Sequence, residues 1–73
     1  MKIVTYMGQE FRVPHWSCYI AADEIGDVHV YDKVPEWDEF FGVYVPLAVS
    51  MSGPSYVGFI DDIGVAIPEV QSC

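Results

Sequence analysis

The chain has 73 residues, 52% of them hydrophobic, and sets three Lys or Arg against eleven Asp or Glu for a net charge of −8 at neutral pH. A field of that sign repels nucleic acid and anionic membranes, and it leaves basic protein surfaces as the natural partners. The length allows a single domain, 1–73, near the size at which one core only just offsets chain entropy, so no second lobe is available to wall a catalytic pocket.

Six Gly and five Pro cut the chain into pieces of strand length. They predict a mostly β fold, α+β at the border: a small antiparallel sheet built from hairpins with at most one short helix. Residues 2–7 alternate, Gly8-Gln9 suits a type II′ turn, and 10–13 return with Phe11 and Val13 on one face and Glu10 and Arg12 on the other. Pro14 stops this strand, and His15-Trp16-Ser17-Cys18 is expected to turn and fold Trp16 over the sheet.

A helix over 15–24 competes through the spacing of Trp16, Tyr19 and Ile20. However, Asp23-Glu24-Ile25-Gly26 reads better as a type I turn closing on a left-handed glycine. Val28 and Val30 then alternate with His29 and Tyr31, so Tyr19–Ala22 and 28–31 are expected to form a second hairpin.

Over 34–42 the pattern predicts a helix of about two turns. Pro35 suits its first position, Glu36 and Asp38 complement the positive end of its dipole, and Gly42 ends it. Trp37, Phe40 and Phe41 would share one stripe. Residues 43–50 read as an apolar edge strand carrying Pro46, and Ser52-Gly53-Pro54-Ser55 as a turn. A third hairpin is expected from 56–60 and 65–67 around Asp61-Asp62-Ile63-Gly64. The residues after 68 carry no element signal and are left as a tail that need not be ordered.

The leading candidate for an interaction site is Trp37 with Glu36, Asp38 and Glu39. Aromatics supply contact area at low entropy cost, and the carboxylates steer a basic partner. In a domain this small Phe40 and Phe41 are expected to close the core, while Trp37 is divided between core and contact. The turns add Asp23, Glu24, Asp27, Asp61 and Asp62, which form one acidic face only if they gather at the same end of the sheet; otherwise they are solvated turn residues. A calcium loop is not supported, because the alternating oxygen ligands and the closing bidentate Glu are missing.

Cys18 with His15 or His29, or either His with Asp27 or Asp32, are the groups a catalytic reading could use. Their spacing enforces no geometry, and no nucleophile elbow, phosphate loop or metalloprotease motif is present. No enzyme activity is expected, nor any metal or cofactor, since the Cys and His residues lack the paired short spacings of zinc sites. Tyr6, Tyr19, Tyr31 and Tyr44 do not by themselves make a platform for nucleic-acid bases, because only Lys2, Arg12 and Lys33 supply positive charge. Residues 1–6 are too short and too sparsely apolar for a secretory leader, and no apolar run has the length of a membrane span. A cytosolic protein with reduced Cys18 and Cys73 is expected.

The run Val13-Pro14-His15-Trp16-Ser17-Cys18-Tyr19-Ile20-Ala21-Ala22, continued by Asp23-Glu24-Ile25-Gly26 and by Asp27-Val28-His29-Val30-Tyr31-Asp32-Lys33-Val34-Pro35, resembles short bacteriophage proteins. Those proteins carry a tryptophan, Tyr-Ile-Ala, an Asp-containing turn with Gly, an alternating strand and a Pro. In length, acidity and strand content the chain further resembles the small transcription regulators of lytic Xanthomonas phages that bind host RNA polymerase. That resemblance implies a monomeric, non-enzymatic protein acting in the cytoplasm of the infected bacterium. Its implied partner is the polymerase β′ subunit near the RNA exit region, and its implied effects are inhibition of initiation and suppression of intrinsic termination. No residue role follows from it. The competing expectations are an acidic nucleic-acid mimic that inhibits a host defence nuclease or repair enzyme, and a structural component of the virion.

Overall fold

The computed structural model describes residues 1–46 and 53–73. Among them lie β1 (Lys2–Tyr6), β2 (Gln9–Val13), β3 (Tyr19–Ala22), β4 (Asp27–Tyr31), β5 (Pro35–Asp38), β6 (Val43–Pro46), β7 (Ser55–Phe59) and β8 (Gln71–Ser72), with no helix. The fold is mostly β, and every pairing is antiparallel.

A central four-stranded sheet runs in the order β7-β4-β3-β8, and the β1-β2 and β5-β6 hairpins form separate two-stranded ribbons. Strand alternation explains the layering. From the central sheet Ile20, Ala22, Val28 and Val30 meet Val4, Tyr6, Phe11 and Val13 of the first ribbon, with Ile60 completing the core. Each large side chain so buried is worth about 1.5–3 kcal/mol. Gly58 lies on this face because a Cβ there would come within 2.9 Å of the Phe11 ring. Trp16 packs against the same cluster after a turn closed by Ser17 N–H donating to Pro14 O at 3.1 Å, as its sequence suggests.

The first hairpin keeps the expected faces but not the expected turn. Its pairing puts Tyr6 opposite Gln9, so Met7 and Gly8 are the central residues, and both have positive φ, 50° and 78°. That is the type I′ pattern, whose twist matches the strands, and it displaces the type II′ turn at Gly8-Gln9. The second hairpin has the expected register, with Ile20 opposite Val30 and Ala22 opposite Val28, and the left-handed Gly26 at φ 100°.

Two expected elements are absent. Residues 34–42 are not a helix: β5 pairs with β6, Trp37 opposite Tyr44, through a turn over 39–42. The reason is local, because Asp38 Oδ1 accepts from the N–H of Phe40 at 2.9 Å and of Phe41 at 3.2 Å, and Gly42 N–H donates to Asp38 O at 2.8 Å. An Asp that satisfies the next amides this way favours a turn over a helix. The third hairpin is also absent. The strand at 55–59 pairs with β4 instead, with a register shift between Val28 and His29, and 65–67 are not a strand. The 43–50 strand is seen as far as Pro46, and residues 47–52, with the start of the 52–55 turn, lie outside the described residues.

Beyond Pro68 the chain adds β8 to the edge of β3. Tyr6 Oη donates to Glu69 O at 2.5 Å and accepts from Ala22 N–H at 3.1 Å, and Gln71 Nε2 donates to Thr5 O at 2.7 Å. One buried tyrosine thus joins the first ribbon, the central sheet and the C-terminal segment.

Candidate interaction surface

The acidic turns gather at one end of the molecule, and backbone hydrogen bonds hold them there. Glu24 N–H donates to Gly42 O at 3.1 Å, which ties the β3-β4 tip to the β5-β6 tip. Ile60 N–H donates to Gly26 O at 2.8 Å, which brings Asp61 and Asp62 beside the same tip. Gln9 Nε2 donates to Phe59 O at 3.1 Å, so the first hairpin points the same way.

The candidate residues divide by what their carboxylates do. Asp23 is half-buried, and its Oδ1 accepts from the N–H of Ile25 and of Asp27, each at 3.0 Å. Asp38, also half-buried, caps the neighbouring tip in the same manner. These two shape the surface. Glu24, Glu39, Asp61 and Asp62 are exposed on it, and Asp27 is half-buried at the start of β4. Glu36 is exposed farther back along β5. Trp37 is half-buried, edge-on to Tyr44 with centroids 4.9 Å apart, and lies on the ribbon outside the core cluster.

Phe40 and Phe41 do not close the core. They are 85% and 68% exposed, in T-shaped contact with centroids 4.9 Å apart. The turn set by Asp38 throws both rings outward, whereas a helix would have placed them on one stripe with Trp37. Ile25, 65% exposed on the adjoining tip, and Phe59, beside Gly26, join them as exposed apolar residues the sequence reading did not single out. A signal for the Phe pair was present: Asp38-Glu39 followed by Gly42 repeats the Asp-Glu…Gly turn chemistry of 23–26.

The cations are elsewhere. Lys2 and Arg12 sit toward the open end of the first hairpin, Lys2 Nζ donating to Ser17 O at 2.9 Å, and Lys33 follows the far end of β4. Charge is therefore segregated along the molecule, with an acidic end carrying exposed aromatics.

The histidine and cysteines of the catalytic reading have structural neighbours. His29 packs edge-on to Tyr56 at 5.5 Å, while Cys18 and Cys73 are exposed free thiols on paired segments, Cys73 N–H donating to Cys18 O at 2.9 Å. Burial pushes the Cys73 thiol up, away from the reactive thiolate. Among the described residues no three His, Cys, Asp or Glu are grouped so as to hold a metal ion. In comparisons with known proteins the chain matches no family model, no curated protein and no solved structure.

Proposed function

We propose that this protein is a non-enzymatic binding module that docks its acidic, aromatic-bearing end on a basic surface of a nucleic-acid-handling protein. The specific partner proposed is host bacterial RNA polymerase, at the β′ subunit near the RNA exit region. There it would inhibit initiation and suppress intrinsic termination, as the resemblance to phage transcription regulators implies. The observation that supports the docking mode is the placement of Phe40 and Phe41, both largely exposed, among Glu24, Glu39, Asp61 and Asp62 on tips joined by backbone hydrogen bonds. Isolated surface apolar residues are ordinary, but two rings in contact inside a field of one sign combine a desolvating contact with long-range steering.

The test is affinity capture of bacterial lysate by the tagged chain at low and high salt, with bound proteins identified by mass spectrometry. Recovery of polymerase subunits that weakens as salt rises supports the proposal, because screening acts on exposed charges. Recovery of a nuclease or repair enzyme that DNA displaces replaces polymerase with the mimicry target. Recovery of the chain alone points to self-assembly and overturns it.

A further inference from the structure

Behind the acidic tips, the β5-β6 ribbon and the outer face of the central sheet enclose a cleft of about 110 Å³ lined by Asp23, His29, Tyr31, Val43, Tyr44 and Pro54. Sites for small molecules usually measure about 300–1,000 Å³, so this one has room for the end of a single side chain and not for a nucleotide or sugar. Among the described residues its lining is mainly aromatic, with one carboxylate. Tyr31 is only 5% exposed and lines the cleft beside Asp23. Asp23 commits Oδ1 to two backbone amides, and an ionised carboxylate has further acceptor capacity on its second oxygen.

We infer that this cleft is a receptacle for one arginine side chain of the basic partner, its guanidinium set against the half-buried Tyr44 ring and donating to Asp23 and the Tyr31 hydroxyl. Arginine fits better than lysine because its planar, weakly hydrated head stacks on aromatic faces and donates in several directions at once. Burial first, and then the Asp23 charge, hold the Tyr31 phenol in its neutral form, which keeps its oxygen available as an acceptor without adding a second anion. The inference rests on the docking mode proposed above and adds a specific anchor to it: the tips steer, and the cleft selects.

The experiment titrates the full chain with N-acetyl-arginine amide, followed by NMR, with N-acetyl-citrulline amide as the neutral isostere. Saturable shifts confined to Asp23, His29, Tyr31 and Tyr44 are expected with arginine and not with citrulline. Asp23→Asn keeps the turn's acceptor and should raise the Kd about tenfold, and Tyr31→Phe should raise it by a smaller factor. Equal shifts from citrulline, or unsaturable shifts centred on Glu24, Asp61 and Asp62, overturn the inference.

Partner capture separates this inference from the docking mode itself. If Lys replacement of Glu24, Asp61 and Asp62 abolishes capture while Asp23→Asn and Tyr31→Phe leave it at full strength, the cleft fails and the docking mode stands. If the cleft binds the arginine compound but the tip variant still captures the partner, the docking mode fails.

Discussion

The amide of Glu24 donates to the carbonyl of Gly42 at 3.1 Å, and a Cβ on Gly42 would lie 2.2 Å from the Glu24 carboxyl carbon. Two tips far apart in sequence are therefore clasped, and the clasp needs glycine twice over, since Gly42 also has φ 68°. Gly42→Ala incurs the left-handed penalty, about 1–2 kcal/mol, and must also push the Glu24 carboxylate aside. A urea midpoint lowered by that amount at constant slope, together with weaker capture of the partner by the folded variant, is the expected result. A midpoint equal to that of the unmodified chain would show that the tips are not clasped in solution.

The Tyr6 hydroxyl makes two hydrogen bonds from a ring that is 1% exposed, whereas the Tyr44 hydroxyl makes one, to Pro68 O, from a half-buried ring. Tyr6→Phe leaves the Ala22 amide and the Glu69 carbonyl without this partner. Tyr6→Phe should destabilise the domain by about 1–3 kcal/mol, and Tyr44→Phe by about 1 kcal/mol or less. Urea denaturation of the two variants gives the order directly, and the reverse order would contradict the role of Tyr6 as the central tie.

Phe40 and Phe41 lie outside the core cluster, so replacing both with Ser should change stability by no more than about 0.5 kcal/mol while abolishing partner capture. Thermal unfolding and the salt-dependent capture assay, run on the same preparation, separate the two effects. A loss of several degrees in Tm would mean that the rings are buried in the native state.

These rings also mark where the sequence could be read and where it could not. The strands of the first two hairpins were legible because period-two alternation and the intervening glycines agree, down to the pairing of Ala22 with Val28, although the first turn centres on Met7-Gly8 and not on Gly8-Gln9. The stretch 34–42 was not, because Pro35, the acidic residues and the Trp37, Phe40, Phe41 spacing satisfy helix rules equally well. What decides between the two is whether Asp38 caps a turn and whether Tyr44 is available to pair with Trp37, a contact between strands. The pairing of β7 with β4 was likewise beyond local pattern, since 56–60 read equally well as the partner of 65–67. At the site the acidic residues were visible as a composition, but their convergence depends on the bonds from Glu24 to Gly42 and from Ile60 to Gly26, which no local rule specifies.

Trp37 and Tyr44 meet edge-to-face on the outer ribbon, an arrangement worth about 0.5–1.5 kcal/mol beyond area burial. Trp37→Ala should therefore leave a folded domain, modestly destabilised, that binds its partner more weakly because the ribbon supporting the Phe40-Phe41 tip is loosened. Retention of the near-UV circular dichroism of the remaining aromatics would confirm folding. If the variant unfolds, Trp37 is a core residue and its place in the contact surface is lost.

Tyr31 supplies a test in alkali. Burial, then the charge of Asp23, push its phenol from the ordinary 10.0 up to about 12, and burial raises Tyr6 in the same direction. A phenol whose pKa is higher in the folded than in the unfolded state holds its proton more tightly when folded. The stabilisation is complete below pH 10 and is lost as pH rises through about 12. Urea midpoints should accordingly be lowered by Tyr31 ionisation across that interval, and phenolate absorbance should show at least one tyrosine ionising late. In Tyr31→Phe the part of the decline due to this group should vanish, and Asp23→Asn should start the ionisation at lower pH by removing a neighbouring negative charge. If every phenol ionised near the ordinary value and Tyr31→Phe left the pH dependence unchanged, the Tyr31 ring would be solvated, and the closed cleft between β4 and β6 would be absent in solution.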